Sequence, residues 1–464
     1  MSQEKFMHSS IFLFLDLIVV AVNSWLFWLV ITRLVSSSQV GQSTAVYSLV
    51  LLSSTIIGLG LEYPLLKKAS NRKSKIVGSS LLIEIIVTIL AMPFVFYLLD
   101  GVNYQTTQAI DITALILLLS ITLGFVARYA LLGISSSKTI LIIDTVSAAV
   151  KFIAGYLLVI SGFGALGVLL AFMIQAIVTA CISLTITKKM FGFEFGKLGT
   201  IKQTLREAVV NMPSIFSRTL VVTLSVVLLA SFGVSSSEVG IFYIALMISL
   251  VAGGLISSTA YMVIPASSIS QTDFSTGSIR IGISLTAPVI SLLLAAPQFI
   301  LSVIGTAYVS GHIILVILAA GILPFAIATN TISRFNYLGE SRKLLFLGCL
   351  QIVGFIAAFF FLVPHLNATG AAISIVLSYS ISCVPALLWS ERPLLRYVIN
   401  AGVAIVSGWA CSYILRVILS EGVFTEVIIT LTSIIVTLYV ILALKNLSIA
   451  EVKTILKTVA NSAN

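Results

Sequence analysis

Val35-Ser-Ser-Ser-Gln-Val-Gly41 and Val234-Ser-Ser-Ser-Glu-Val-Gly240 are two copies of one heptapeptide that differ at a single position. Each copy follows one long apolar run and precedes another, and the two stand 199 residues apart. Two further landmarks keep nearly the same spacing. Leu132-Gly-Ile-Ser135 is echoed by Leu338-Gly-Glu-Ser341, and Gly164-Ala165 by Gly370-Ala371, both at an offset of 206. Three landmarks in one order at nearly one offset indicate a duplicated unit of about two hundred residues. The chain is expected to be two similar halves joined in the middle.

The composition fixes the solvent. Of 464 residues, 59% are hydrophobic and 9% charged, with a mean hydropathy of +1.16, so the chain holds far more apolar surface than a water-soluble fold can cover. A hydrocarbon core of about 30 Å takes about 20 apolar residues per helical crossing, and about fourteen such stretches can be laid out. A β-barrel would alternate apolar and polar positions, whereas runs such as 11–30 do not. The expected fold is an all-α polytopic membrane protein with about 14 transmembrane helices. Two parallel pseudo-symmetric six-helix lobes would stand around a central cavity, with two extra helices at the C-terminus.

In chain order, 1–187 is read as the N-lobe (helices 1–6) and 188–211 as a cytoplasmic linker, in which 201–210 is a candidate interfacial amphipathic helix. Residues 212–390 make the C-lobe (helices 7–12), and 391–464 hold helices 13 and 14 with a cytoplasmic tail. Because each repeat has an even number of crossings, both lobes enter the membrane from one side, which makes the repeats parallel. Such lobes can rock a shared chamber open to either face.

Orientation follows from the positive-inside bias. Even-numbered loops and the two ends hold 22 of the 26 Lys and Arg, so both termini are placed in the cytoplasm. That asymmetry and attraction to anionic membrane lipids account for the net charge of +10 without a nucleic-acid partner. Cys181, Cys349, Cys383 and Cys411 all fall inside apolar spans and act as small packing residues. The first apolar run is too long, and too poor in small residues near an end, for a cleavable signal, so it is expected to stay as the first crossing.

No enzyme signature is present: no Walker A sequence, no dinucleotide fingerprint in a βαβ context and no His pair at metal spacing, so neither a cofactor nor a metal is expected. The informative residues are charges within spans, since each costs at least a few kcal/mol if it faces lipid. Lys151 falls near the middle of helix five and Arg218 about a third of the way along helix seven, one in each half. Two readings stand side by side. Both residues are candidate contacts for a phosphate-bearing headgroup, Arg as a planar fork and Lys as a mobile point charge. Alternatively each is neutralised by a carboxylate, for which Asp144, seven residues before Lys151 and about 10 Å away along the helix, is a candidate. Asp16, Glu84 and Asp144 are buried acids, either counter-ions to those cations or coupling sites for a proton or cation. Arg128 and Arg334 lie near the cytoplasmic face, where snorkelling explains them. Prolines at 213, 265, 288, 297 and 324 punctuate the second half and suit bent helices.

A resemblance rests on further residues. They are the serine heptapeptide followed by Gln42 and Tyr47, Ser237-Glu-Val-Gly-Ile-Phe-Tyr243, Pro213 entering helix seven and Pro265 ending helix eight. Tyr337-Leu-Gly-Glu-Ser-Arg-Lys343 and Val363-Pro-His-Leu-Asn-Ala-Thr-Gly-Ala-Ala372 complete the set. In these places, and in its fourteen expected spans, the chain resembles the polysaccharide and oligosaccharide flippases of the multidrug/oligosaccharidyl-lipid/polysaccharide exporter superfamily. The resemblance implies passage of a polyprenyl-linked saccharide from the cytoplasmic to the outer leaflet of the cell membrane. It also implies glycan polymerase or glycosyltransferase partners. Members often line the cavity with basic residues, whereas only Lys151 and Arg218 are deep here. The rival reading is a proton- or cation-coupled multidrug or metabolite exporter of the same superfamily. It would use Asp16 or Glu84 as the proton site, and Lys151 and Arg218 would not help it.

Overall fold

Ser36 opens the second helix as a capping box. Its hydroxyl accepts from the Gln39 backbone N–H at 3.3 Å, while the Gln39 side chain accepts from the Ser36 N–H at 3.1 Å. The second heptapeptide repeats the first half of this arrangement, with the Ser235 hydroxyl accepting from the Glu238 N–H at 3.3 Å. Ser-x-x-Gln and Ser-x-x-Glu satisfy backbone donors that a helix start otherwise leaves orphaned, which is why both apolar runs begin here. The heptapeptides are helix starts.

The computed structural model describes residues 3–62, 65, 74–102, 107–134, 136–194, 198–270, 273, 275–389, 392–419 and 422–448. Every regular element among them is helical. The order is α1 (Gln3–Ile31), α2 (Ser37–Ile57), α3 (Ser74–Gly101), α4 (Gln108–Gly133), α5 (Ser137–Ile160), α6 (Gly164–Phe191), α7 (Leu198–Ser231) and α8 (Ser236–Ser270). Then follow α9 (Ser275–Ala295), α10 (Pro297–Ile304), a 3-10 helix (Thr306–Gly311), α11 (His312–Ala320), α12 (Ile322–Leu338), α13 (Ser341–Leu388), α14 (Arg392–Ile418) and α15 (Val423–Ala443).

Eleven helical stretches among the described residues are long and apolar enough to cross a bilayer. α13 carries two of the expected spans in one 48-residue element, broken at Asn367. There φ is 46° and ψ −128°, a positive-φ geometry that interrupts the helix. Ile18–Ile31 and Val221–Ser231 are shorter apolar stretches within α1 and α7. The separate interfacial helix expected over 201–210 is instead the N-terminal part of α7, which runs unbroken for 34 residues. Pro288 sits inside α9, and Pro297 starts α10 after the chain breaks from helical geometry at Ala296.

The faces are turned as a lipid solvent requires. On α3 the exposed side chains include Ile86, Ile89, Leu90, Phe94, Phe96 and Tyr97, whereas Ser79, Ser80, Glu84 and Thr88 are fully buried. Lipid gives apolar residues no reason to turn inward, so helix contacts favour small and polar side chains that let backbones approach. The chain is a multi-pass membrane protein.

Two compact units divide the chain, residues 1–243 and 244–464. In the first, α1 packs on α5, α5 and α4 on α6, α3 on α4, and α2 lies against α3, α4, α6 and α7. Inside this unit the two heptapeptides meet. Ser37 and Ser237 hydroxyls are 2.7 Å apart, and those of Ser38 and Ser236 are 2.6 Å apart. Gly41 and Gly240 permit the approach: a Cβ on Gly41 would overlap the Ser236 carbonyl oxygen, and one on Gly240 would sit 2.9 Å from the Gly41 nitrogen. In the second unit α9 packs on α12, α14 and α15, α12 on α13, and α14 on α15. The α9–α15 contact is polar at its centre, where Ser291 and Ser433 hydroxyls are 2.7 Å apart.

Candidate functional site

Three charged residues of the first unit meet across α1, α4 and α5. α1 presents Asp16, α4 presents Arg128 and α5 presents Asp144. Nη2 of Arg128 donates to Asp16 Oδ2 at 3.1 Å, and its Nη1 donates to Asp144 Oδ2. Asp16 is 3% and Asp144 7% exposed, so one guanidinium satisfies two carboxylates removed from water. The fork geometry of Arg suits this, since its N–H groups can serve two acceptors at once. The other oxygen of Asp16, Oδ1, is buried with no hydrogen-bond partner.

This arrangement reassigns the roles expected of these residues. Arg128 does not simply snorkel: it is the cation to which Asp16 and Asp144 are paired. Asp144 is therefore bound elsewhere than at Lys151. Little along the chain signals the triad, because Arg128 is 112 residues from Asp16 and 16 from Asp144.

Lys151 lies two turns further along α5 than Asp144 and is 4% exposed. Its ammonium sits over two aromatic faces, 4.9 Å from the ring centre of Phe27 and 5.3 Å from that of Phe172. Phe172 is stacked on Tyr47 with centroids 4.1 Å apart, and Trp28 bridges edge-on between Phe27 and Tyr243. Gly155, one turn beyond Lys151, makes room, because a Cβ there would come within 2.7 Å of the Phe27 ring. No carboxylate among the described residues pairs with Lys151. An ammonium held by ring quadrupoles alone is attracted but not neutralised.

Glu84 on α3 is placed differently again. It is fully buried, and neither of its oxygens has a hydrogen-bond partner among the described residues. Arg218 falls in α7, and its side chain lies outside the described residues. The structure thus brings Asp16 and Asp144 together, and sets Lys151 and Glu84 each without an opposite charge among the described residues.

In the second unit, Arg334 also has more than interfacial water. Its Nε donates to Asp273 at 2.6 Å and its Nη1 to the Trp389 carbonyl at 3.3 Å. Beside it, Lys343 pairs with Glu340 and lies 5.1 Å over Phe335 and 5.7 Å over Trp389. Asp273 lies between α8 and α9. Burial pushes its carboxyl up, but the Ser275 hydroxyl and N–H and the Arg334 guanidinium outweigh this and hold it below the ordinary value.

A family model described as polysaccharide biosynthesis protein matches residues 6–271. Among solved structures the chain is similar to the lipid II flippase MurJ in an inward closed conformation, with a TM-score of 0.74 and 14% identity over 94% of this chain and 98% of that one. It is also similar to a multidrug resistance MATE family transporter of the MOP superfamily, inward-facing, at 0.61 and 15% over 84% and 98%. A mutant of the Vibrio cholerae MATE transporter VcmN follows at 0.58 and 14% over 84% and 98%. No curated protein matches. At such identities the likeness is one of fold, and the fold is that of these transporters.

Proposed function

The chain belongs to the polysaccharide biosynthesis protein family, and from that premise we propose that it is a flippase for polyprenyl-linked oligosaccharide or polysaccharide repeat units. It carries them from the cytoplasmic to the outer leaflet by alternating access, with both termini in the cytoplasm.

The observation that carries this reading is Lys151. A cation buried within a span, lying over Phe27 and Phe172 and matched by no carboxylate among the described residues, destabilises the fold unless something else is gained. An anionic headgroup supplies the gain: phosphate oxygens accept from the ammonium. Tyr47 and Trp28 extend the same buried aromatic cluster around the ammonium. Arg218, about a third of the way along its span, is proposed as the second phosphate contact. The saccharide and its pyrophosphate are the working partners of the protein, with membrane lipids around it and a glycan polymerase or glycosyltransferase downstream.

The rival reading is a cation-coupled exporter of drugs or metabolites, in keeping with the likeness to MATE transporters. Lys151 favours the flippase, because an uncompensated ammonium repels the apolar cations that such an exporter would carry. Deleting the gene and following lipid-linked saccharide decides between them. Accumulation on the cytoplasmic leaflet supports the flippase, and an unchanged distribution with greater sensitivity to cationic drugs overturns it.

A further inference from the structure

α1 and α5 pack side by side in matched register. On α1, Asp16, Asn23 and Phe27 are spaced by seven and then four residues, and on α5 Asp144, Lys151 and Gly155 repeat that spacing, so each set stacks on one face of its helix. The two sets meet at both ends. Arg128 binds Asp16 and Asp144 together, and a Cβ on Gly155 would come within 2.7 Å of the Phe27 ring. The register between those contacts sets Asn23 of α1 opposite Lys151 of α5.

Both members of this layer are short of partners. Asn23 Oδ1 is buried with no hydrogen-bond partner among the described residues. The ammonium of Lys151, a residue 4% exposed, has among the described residues only the rings of Phe27 and Phe172. Buried polar atoms nearly always find partners, yet here an acceptor and a donor stand at one height and are not bonded to each other. The polar groups next to them are engaged elsewhere. Ser147, one turn before Lys151, donates to the Asp144 carbonyl at 3.2 Å, and Arg128 is held by Asp16 and Asp144. A molecule that completes the layer has to accept from an ammonium and donate to an amide carbonyl. A phosphate oxygen meets only the first demand, whereas a phosphate with an O–H or N–H beside it meets both.

We propose that Asn23 is a specificity-determining residue that tells a sugar-bearing phosphate from a bare one. With Lys151 on the phosphate, Asn23 Oδ1 accepts a hydrogen bond from the hydroxyl or acetamido N–H on the sugar carbon next to the anomeric one. The inference rests on the flippase reading and adds which part of the headgroup is read. One headgroup then carries both the acceptor for Lys151 and the donor for Asn23. A phospholipid phosphodiester or an unloaded polyprenyl diphosphate brings the anion without that sugar donor, and leaves the amide carbonyl unsatisfied. A buried acceptor left without its hydrogen bond lowers affinity by about tenfold. The loaded carrier is thereby preferred over the empty one.

Equilibrium binding to the full chain in detergent tests this with three probes: farnesyl diphosphate, farnesyl diphosphate-linked glucose and farnesyl diphosphate-linked 2-deoxyglucose. The wild type should bind the glucose probe about tenfold more tightly than either of the others. Asn23→Leu and the smaller Asn23→Ala should bind all three alike, at the wild-type affinity for farnesyl diphosphate, which also reports that the site is folded. Asn23→Asp should weaken all three by about tenfold or more, because a carboxylate opposite Lys151 pairs with the ammonium and competes with the phosphate. Discrimination retained by Asn23→Leu or Asn23→Ala would overturn the inference. So would unchanged binding of farnesyl diphosphate by Asn23→Asp, since residue 23 would then not face Lys151. Equal binding of the three probes by the wild type would overturn it while the flippase reading stands. If the wild type binds none of them, the flippase reading falls and takes the inference with it.

Discussion

The hydroxyls of Ser37 and Ser237 touch at 2.7 Å, although 200 residues separate them and they are the second serine of one heptapeptide and the third of the other. The neighbouring pair, Ser38 and Ser236, is in equal contact with the order reversed, and the two glycines of the motif, Gly41 and Gly240, leave no room for a side chain. A sequence repeated once per half has become a contact between its own two copies. The starts of α2 and α8 therefore lie side by side.

Under the flippase reading we predict that this contact opens in each cycle. The variant carrying both Ser37→Cys and Ser237→Cys places two thiols within reach of a disulfide. Mild oxidation should cross-link it, seen as a reductant-sensitive shift after cleavage between the two positions, and glycan delivery should stop until reductant is added. Undiminished delivery by the fully cross-linked protein would show that the contact stays shut throughout transport.

Lys151 separates function from stability. Lys151→Met keeps the length of the side chain and removes a buried charge that lacks a carboxylate, so the fold should gain about 1 kcal/mol or more. Glycan delivery should nonetheless be abolished, as in Lys151→Ala at unchanged protein level. Thermal unfolding in detergent and surface glycan staining measure the two effects. Delivery at the wild-type rate in both variants removes Lys151 from the substrate path.

Arg128 should behave in the opposite way. Arg128→Ala leaves Asp16 and Asp144 buried face to face, and stability should fall by about 2–4 kcal/mol, the range for breaking one side of a buried ion pair eased by the 35% exposure of Arg128. Combining it with Asp16→Asn and Asp144→Asn should recover much of the loss, because no charge is then left unmatched. A strictly additive triple variant would mean that the three groups do not act as a unit.

Asp273 predicts a pH window. Its carboxyl is held below the ordinary 3.8 by Ser275 and Arg334. The folded form thus binds its proton less readily than the unfolded chain, and the stabilisation is present above about pH 4 and fades as pH falls through the lower, folded value. Asp273→Asn should melt earlier than the wild type at pH 7, and the gap should close below about pH 4. A gap that persists unchanged at low pH would trace the loss to the α9 cap, where Ser275 N–H donates to Asp273 at 2.9 Å, and not to charge.

The membrane class and the helical character of the apolar runs were legible in the chain because each is a local property. Twenty apolar residues in a row mean the same thing whatever lies beside them. The heptapeptide also carries its helix start in the chain, Ser36 with Gln39 and Ser235 with Glu238. Which charges meet was decided only in three dimensions. Asp144 turns to Arg128 and not to Lys151 seven residues away on its own helix, because a guanidinium on α4 lies nearer than an ammonium two turns up α5. Glu84 and Lys151 look alike in sequence as lone charges in apolar runs, and only the packing of neighbouring helices left one fully buried with no hydrogen-bond partner among the described residues and the other over aromatic rings. How deep a charge sits is set by the chain alone, since depth is counted along one helix. What neutralises it depends on which other helices pack there, a matter of distance through space.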